Sequence, residues 1–206
     1  DMPAFRTFRS LLVLALLLSV STLFAASPRL TTILPHGLRR GHDTELTFSG
    51  SQLADVEEIF FYEPGFTVKE FKPVNVNAFK AVISVAPDAR LGEQVCQVRT
   101  KTGVSDFRTF FVGYLPDVAE KEPNSEFTTP QEIAMNVTVS GVANLEDVDY
   151  YVVDAKKGDR IAAEVEGIRL GTTLFDPYVA ILDSKRFELA SADDSPLLVQ
   201  DCVVSA

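Results

Sequence analysis

The sequence predicts an all-β protein: two consecutive β-sandwiches that follow an N-terminal apolar helix. Short runs rich in β-branched and aromatic residues recur between clusters of Gly, Pro, Asn and Asp, the punctuation of strands and turns. Within these runs apolar and polar side chains alternate, which puts one strand face in a core and the other in water. The composition, 46% hydrophobic and 23% charged over 206 residues, is that of a globular chain with room for one large or two small domains.

Residues 1–26 stand apart from the fold. Arg6 and Arg9 precede an unbroken apolar run from Leu11 to Leu18, which continues past Ser19, Ser21 and Thr22 to Phe24, and Ala25, Ala26 and Ser27 follow. A basic start, a short apolar stretch and small residues describe a secretory signal peptide cut near Ala25 or Ala26. The alternative, a membrane anchor, needs about 20 consecutive apolar residues, and this run is far shorter. The expected location is therefore secreted, cell-surface or periplasmic, with no membrane span after cleavage. Asp1 ahead of Met2 is read as a start other than the natural one.

The first sandwich is expected over residues 27–113. Its strands are LTTIL, TELTFSG, VEEIFFY, FTVKEFK, AFKAVISV, EQVCQVRT and VSDFRTFFV, separated by turn clusters such as PHG, RRGH, EPG, PDARLG and KTG. Seven short strands at this spacing argue for an immunoglobulin-like sandwich. Phe79, Ala81, Ile83 and Val85 fall on one face of their strand and Lys80 and Ser84 on the other. Residues 114–135, with Pro116, Pro123 and Pro130 among acidic side chains, read as a linker and domain entry.

A second sandwich is expected over residues 136–206, from VTVSGV, VDYYVVDA, RIAAEVEG, PYVAILD and FELA. Ile161, Ala163 and Val165 alternate with Ala162, Glu164 and Glu166, so that strand has one wet face. The net charge of −10 is unevenly spread: residues 27–118 hold 10 basic and 11 acidic side chains, residues 119–206 hold 7 and 17. So acidic a chain makes an electrostatic nucleic-acid binder a poor fit.

The first half, at SPRLTTILPHGLRRGHDTELTFSGSQL with Pro35, Gly37, Gly41, Gly50 and the TGVSDF turn at Gly103, resembles the IPT/TIG family of immunoglobulin-like domains. That resemblance implies a binding or spacer module. The second half resembles the bacterial pre-peptidase C-terminal domain, through EKEPNSEF (Glu120–Phe127), SGVANLEDVDYYVVDAKKGDRIAAEVEG (Ser140–Gly167), FDPYVAILD (Phe175–Asp183) and ADDS (Ala192–Ser195). It implies a jelly-roll-like sandwich of a secreted bacterial protein, often beside a peptidase domain. The closing strands of that family do not follow, so the second sandwich is expected to be truncated.

Glu120, Glu122 and Asn124 alternate along a chain that Pro123 keeps extended, and so share a face. Asp147 and Asp149 repeat the spacing, beside Glu146. Hard oxygen donors suit Ca²⁺, which takes about six to eight of them. Relatives in secreted collagenases bind calcium through a similar E-x-E-x-N segment and downstream aspartates, so the resemblance implies a site at Glu120, Glu122, Asn124, Asp147 and Asp149, with Ser125 where a further acidic ligand would serve. The alternative is a solvated acidic linker with Asp149 capping a turn.

Other groups read as structural. Asp193, Asp194 and Asp201 flank an expected turn, where Asp bonds locally. His36 and His42 sit in glycine-rich turns and lack the further ligands of a zinc site. G-x-S-x-G, H-E-x-x-H and Walker-type loops do not occur, and in Asp43-Thr44-Glu45 a glutamate replaces the glycine of an aspartic-protease triplet. Cys96 alternates with Val98 and is expected to be a buried apolar residue, unbridged to Cys202. Asn136-Val137-Thr138 is a formal glycosylation sequon. Phe60, Phe61, Tyr62 and Phe66 are expected to fill the core rather than form a binding patch.

The expected function is a non-catalytic spacer, adhesion or substrate-targeting module of a larger extracytoplasmic protein. Its expected partners are other domains of that protein and an extracellular protein or polysaccharide. The competing expectation is the N-terminal piece of a secreted peptidase or other hydrolase whose catalytic domain lies beyond Ala206.

Overall fold

The computed structural model describes residues 27–144, 147–171 and 174–206, so the expected signal peptide and Glu146 lie outside the described residues. Strands make up 49% of the described chain, which contains no α-helix. None of its helices is long and apolar enough to cross a membrane.

The first half contains β1 (Arg29–Leu34), β2 (Gly37–Arg39), β3 (Asp43–Ser51), β4 (Val56–Phe61), β5 (Phe66–Asn75), β6 (Ala78–Val85), β7 (Gly92–Thr100), β8 (Gly103–Val104) and β9 (Arg108–Gly113). They form two sheets, in the orders β1-β3-β6-β5 and β2-β9-β7-β4, with β8 added against β7. Neighbouring strands are antiparallel except β2 and β9, which run parallel.

Alternation places the core. On β6, Phe79, Ala81, Ile83 and Val85 are buried, while Lys80 on the opposite face meets Glu45 of β3, which Lys72 of β5 reaches from the other side. Phe48 and Phe79, paired in register between β3 and β6, stack at 4.7 Å between ring centres. The facing sheet contributes Leu38, Ile59, Cys96, Val98, Phe110 and Val112 to the same cluster. Gly50 is required where β1 crosses β3, because a Cβ there would fall on the Arg29 carbonyl.

The four aromatic residues near β4 divide. Phe61 and Phe66 stack at 4.8 Å and meet Phe110 edge-on, inside the sandwich. Phe60 and Tyr62 point outward, the first under the Arg99 guanidinium and the second bonded to Gln97. The expectation of a wholly internal aromatic group therefore holds for two of the four, because strand alternation sends consecutive residues to opposite faces.

The second half contains β10 (Asp117–Ala119), β11 (Gln131–Glu132), β12 (Thr138–Ser140), β13 (Tyr151–Val152), β14 (Ala162–Val165), a 3-10 turn (Ile168–Leu170), β15 (Val179–Leu182), β16 (Glu188–Ala192) and β17 (Cys202–Ser205). They pair as four short ladders: β10 with β12 and β11 with β13 in parallel, β14 with β17 and β15 with β16 antiparallel. Residues 114–135 thus do more than link, since they supply β10 and β11 to the second half. Buried apolar side chains are few here, chiefly Ile181, Cys202 and Val204, whereas Asn124, Gln131 and Asp201 are buried polar groups. Buried polar side chains cost free energy unless bonded, so each of the three marks a joint where the chain is tied to itself.

Candidate metal centre

β10 leads directly into the acidic segment. Gln131, at the start of β11, is buried and reaches back across it: its Oε1 accepts the Lys121 N–H at 2.8 Å and its Nε2 donates to the Ala119 carbonyl at 3.0 Å. The side-chain amide takes the place of a neighbouring strand and fixes the backbone on both sides of Glu120. Four residues after Glu120 the Asn124 backbone carbonyl accepts the Tyr150 N–H at 2.9 Å, which joins the segment to the start of β13. Sequence reasoning missed Gln131, since a glutamine beside Pro130 in an acidic stretch has no distinguishing pattern.

These ties bring the predicted residues together. Glu122, Asp147 and Asp149 each place a carboxylate oxygen within 4.8 Å of the others. Asn124 is fully buried beneath them. Its side-chain amide meets its neighbours with the nitrogen towards them, donating to Glu122 Oε2 at 2.9 Å and to Asp149 Oδ1 at 3.2 Å. The crowded carboxylates beside it are relieved by the amide N–H groups, by a proton on one of them, or by a bound cation.

Glu120 and Asp147 have other work. Glu120 Oε1 accepts the Tyr151 hydroxyl at 2.5 Å and Oε2 accepts the Val142 N–H at 2.8 Å. Asp147 accepts the Asn144 and Val148 N–H groups and the Ser125 hydroxyl. Ser125, at the position read from sequence as a substitute for an acidic ligand, thus orients a carboxylate instead.

Electrostatics follow from this crowding. Partial burial, reinforced by the charges of Glu120, Asp147 and Glu122, pushes the Asp149 carboxyl up to about 6. The Tyr151 hydroxyl is raised by burial and by Glu120. Asp147 is held below the usual carboxylate range, first by the Asn144 N–H. A cluster whose members resist simultaneous ionisation gains most from a bound cation.

The other candidates sit apart from this cluster. Asp201 is fully buried and structural, but it accepts the N–H groups of Gly167 and Ile168, 34 and 33 positions away, so its bonds are tertiary rather than the local turn bonds expected. His42 is exposed and bonded to the Arg40 carbonyl, and His36 is lowered by burial. Glu45 is consumed in its ion pairs with Lys72 and Lys80. Cys96 and Cys202 are both buried and unbridged.

Neither family models nor curated proteins match the chain.

Proposed function

We propose that this chain is a non-catalytic, exported spacer or adhesion segment of a larger extracytoplasmic protein, and that calcium stiffens its second half. The observation that carries the proposal is the convergence of Glu122, Asp147 and Asp149, whose carboxylate oxygens lie within 4.8 Å of one another. The carboxylate oxygens of Glu122, Asp147 and Asp149 fit a hard cation such as Ca²⁺ and disfavour softer metals. Glu120, bonded to Tyr151 and Val142, would hold the segment in place around the ion. The resemblance of the Glu120–Phe127 and Ser140–Gly167 segments to the pre-peptidase C-terminal domain, and of residues 27–113 to IPT/TIG domains, supports the same conclusion.

A bound ion would supply charge neutralisation in place of hydrophobic burial, of which the second half has little. Glu45 and Asp201 are engaged in ion pairs and backbone bonds, a use that suits a scaffold.

Titration calorimetry with CaCl₂ on EGTA-treated protein tests the cation. A saturable heat and a rise in Tm are expected, both lost in Asp149→Asn and Glu122→Gln. Absence of heat with an unchanged Tm would remove calcium from the proposal. Casein hydrolysis by the purified chain would overturn its non-catalytic character.

A further inference from the structure

The 3-10 turn Ile168–Leu170 of the second half lies against the outer face of β9 in the first half. The Thr109 hydroxyl, on β9, points at two carbonyls of that turn, Leu170 at 2.5 Å and Arg169 at 3.2 Å. Beside it the Arg169 guanidinium lies over the Phe111 ring, 5.3 Å from the ring centre. Phe111 is an outward-facing residue of β9 yet is only 6% exposed. Gly171, which ends the turn with φ +67°, comes so close that a Cβ would lie 3.1 Å from Thr109 Oγ1. Such a left-handed, close-packed position favours glycine.

The turn is itself held from behind. Asp201, with no exposure, accepts the N–H groups of Gly167 at 2.9 Å and Ile168 at 2.8 Å, and its other oxygen receives Arg169 Nε at 2.6 Å. Arg169 Nη2 reaches Glu164 of β14 at 2.8 Å. One arginine therefore joins three pieces of chain: its planar head is fixed edge-on by two carboxylates and face-on by an aromatic ring of the other half. The carboxylates fix the guanidinium before it meets Phe111, so little side-chain freedom is lost on docking.

We infer that the Ile168–Leu170 turn is an intramolecular latch that fastens the second half to the outer face of β9, so that both halves move as one rigid unit. The proline-bearing segment 114–135 then sets a fixed geometry, whereas joined domains with a small interface normally move relative to one another. A spacer latched in this way transmits orientation as well as distance.

Spin labels at Lys101→Cys in the first half and Lys185→Cys in the second measure the geometry by pulsed electron resonance. Both positions are exposed, and the native cysteines are buried from the reagent. A single narrow distance distribution is expected. Thr109→Arg, which drives a charged wedge into the contact from a surface-facing strand position, should broaden it at least twofold. A broad distribution in the parent protein, or one that Thr109→Arg leaves unchanged, overturns the latch. Should Thr109→Arg fail to fold, Thr109→Val keeps the shape of the side chain and removes the hydroxyl; a new broad component supports the latch, and an unchanged distribution overturns it.

Discussion

Tyr151 donates its hydroxyl to Glu120 across 31 positions of sequence, at 2.5 Å, and in doing so joins the segment after β10 to β13. With the Gln131 clamp it determines where Glu122 and Asn124 stand, although neither Tyr151 nor Gln131 contributes to the carboxylate cluster. The site is thus built in two tiers, donors above and the ties that aim them below.

Gln131→Leu should expose the weight of those ties. It leaves the Lys121 N–H and the Ala119 carbonyl without partners in a partly buried place, and each unmet bond costs about 1–3 kcal/mol. A loss of about 2 kcal/mol in the unfolding of the second half is expected from urea melts. Calcium affinity by calorimetry should fall at least tenfold. Tyr151→Phe, which removes one bond from an exposed residue, should cost less on both counts.

The first sandwich should respond to core truncation as a close-packed interior does. Phe79 is fully buried and stacked on Phe48, with Phe71 edge-on at 5.9 Å. Phe79→Ala should cost about 3–5 kcal/mol. Phe60→Ala, on the outer face under Arg99, should cost less than about 1 kcal/mol beyond its lost area. Guanidinium unfolding of the two variants side by side would show the contrast; equal losses would contradict the inside-outside assignment of β4.

How much of this was legible in the sequence depends on what kind of order each part relies on. The Phe79, Ala81, Ile83, Val85 face was readable because β6 is eight residues long and alternates without interruption. β2 was not, because Gly37–Arg39 is three residues between turn residues, too short to display a period, and only its parallel pairing with β9 makes it a strand. β10 and β11 were hidden for the same reason, and residues 114–135 looked like linker because their bonding partners, β12 and β13, lie up to about twenty positions away. At the site, the i, i+2, i+4 spacing marked Glu120, Glu122 and Asn124 as one group, and only the fold shows that Glu122 approaches Asp147 and Asp149. Spacing could not reveal that Glu120 faces Tyr151 and Val142 while Asn124 is buried, because those relations are tertiary.

The acidity of the cluster sets a pH dependence whose steepness differs with and without calcium. In cation-free protein the Asp149 carboxyl is pushed up from 3.8 to about 6, so between those values the folded state keeps a proton that the unfolded chain has released. A raised carboxyl pKa adds stability that is full below about 4 and is lost as pH rises through 6. Solvent screening of this half-buried group limits the change to about 1 kcal/mol. Asp147, which is lowered, acts oppositely but only below its ordinary 3.8, outside this window. Glu166, which burial pushes up to about 7, acts in the same sense and His36, lowered by burial, in the opposite one. Thermal melts in EGTA from pH 4.5 to 7.5 should therefore show Tm falling more steeply in the parent than in Asp149→Asn, and saturating calcium should flatten the parent's trend.

The two cysteines provide one native reporter for each half. Cys96 sits on β7 at zero exposure and burial pushes its thiol up to about 12, while Cys202 on β17 is equally hidden and raised by burial. The thiolate is the reactive form, so at pH 8 a pKa near 12 alone slows alkylation about 10³-fold relative to an ordinary thiol, before steric protection is counted. Neither residue should label until its own half opens. Pulse alkylation across a urea gradient, read by mass spectrometry of the separate peptides, then gives two unfolding curves from one sample. Latched halves should bring the Cys202 curve towards that of Cys96, and Thr109→Arg should shift Cys202 to lower urea while leaving Cys96 in place. Labelling of Cys96 in native buffer would show that the first sandwich is not the closed core described above.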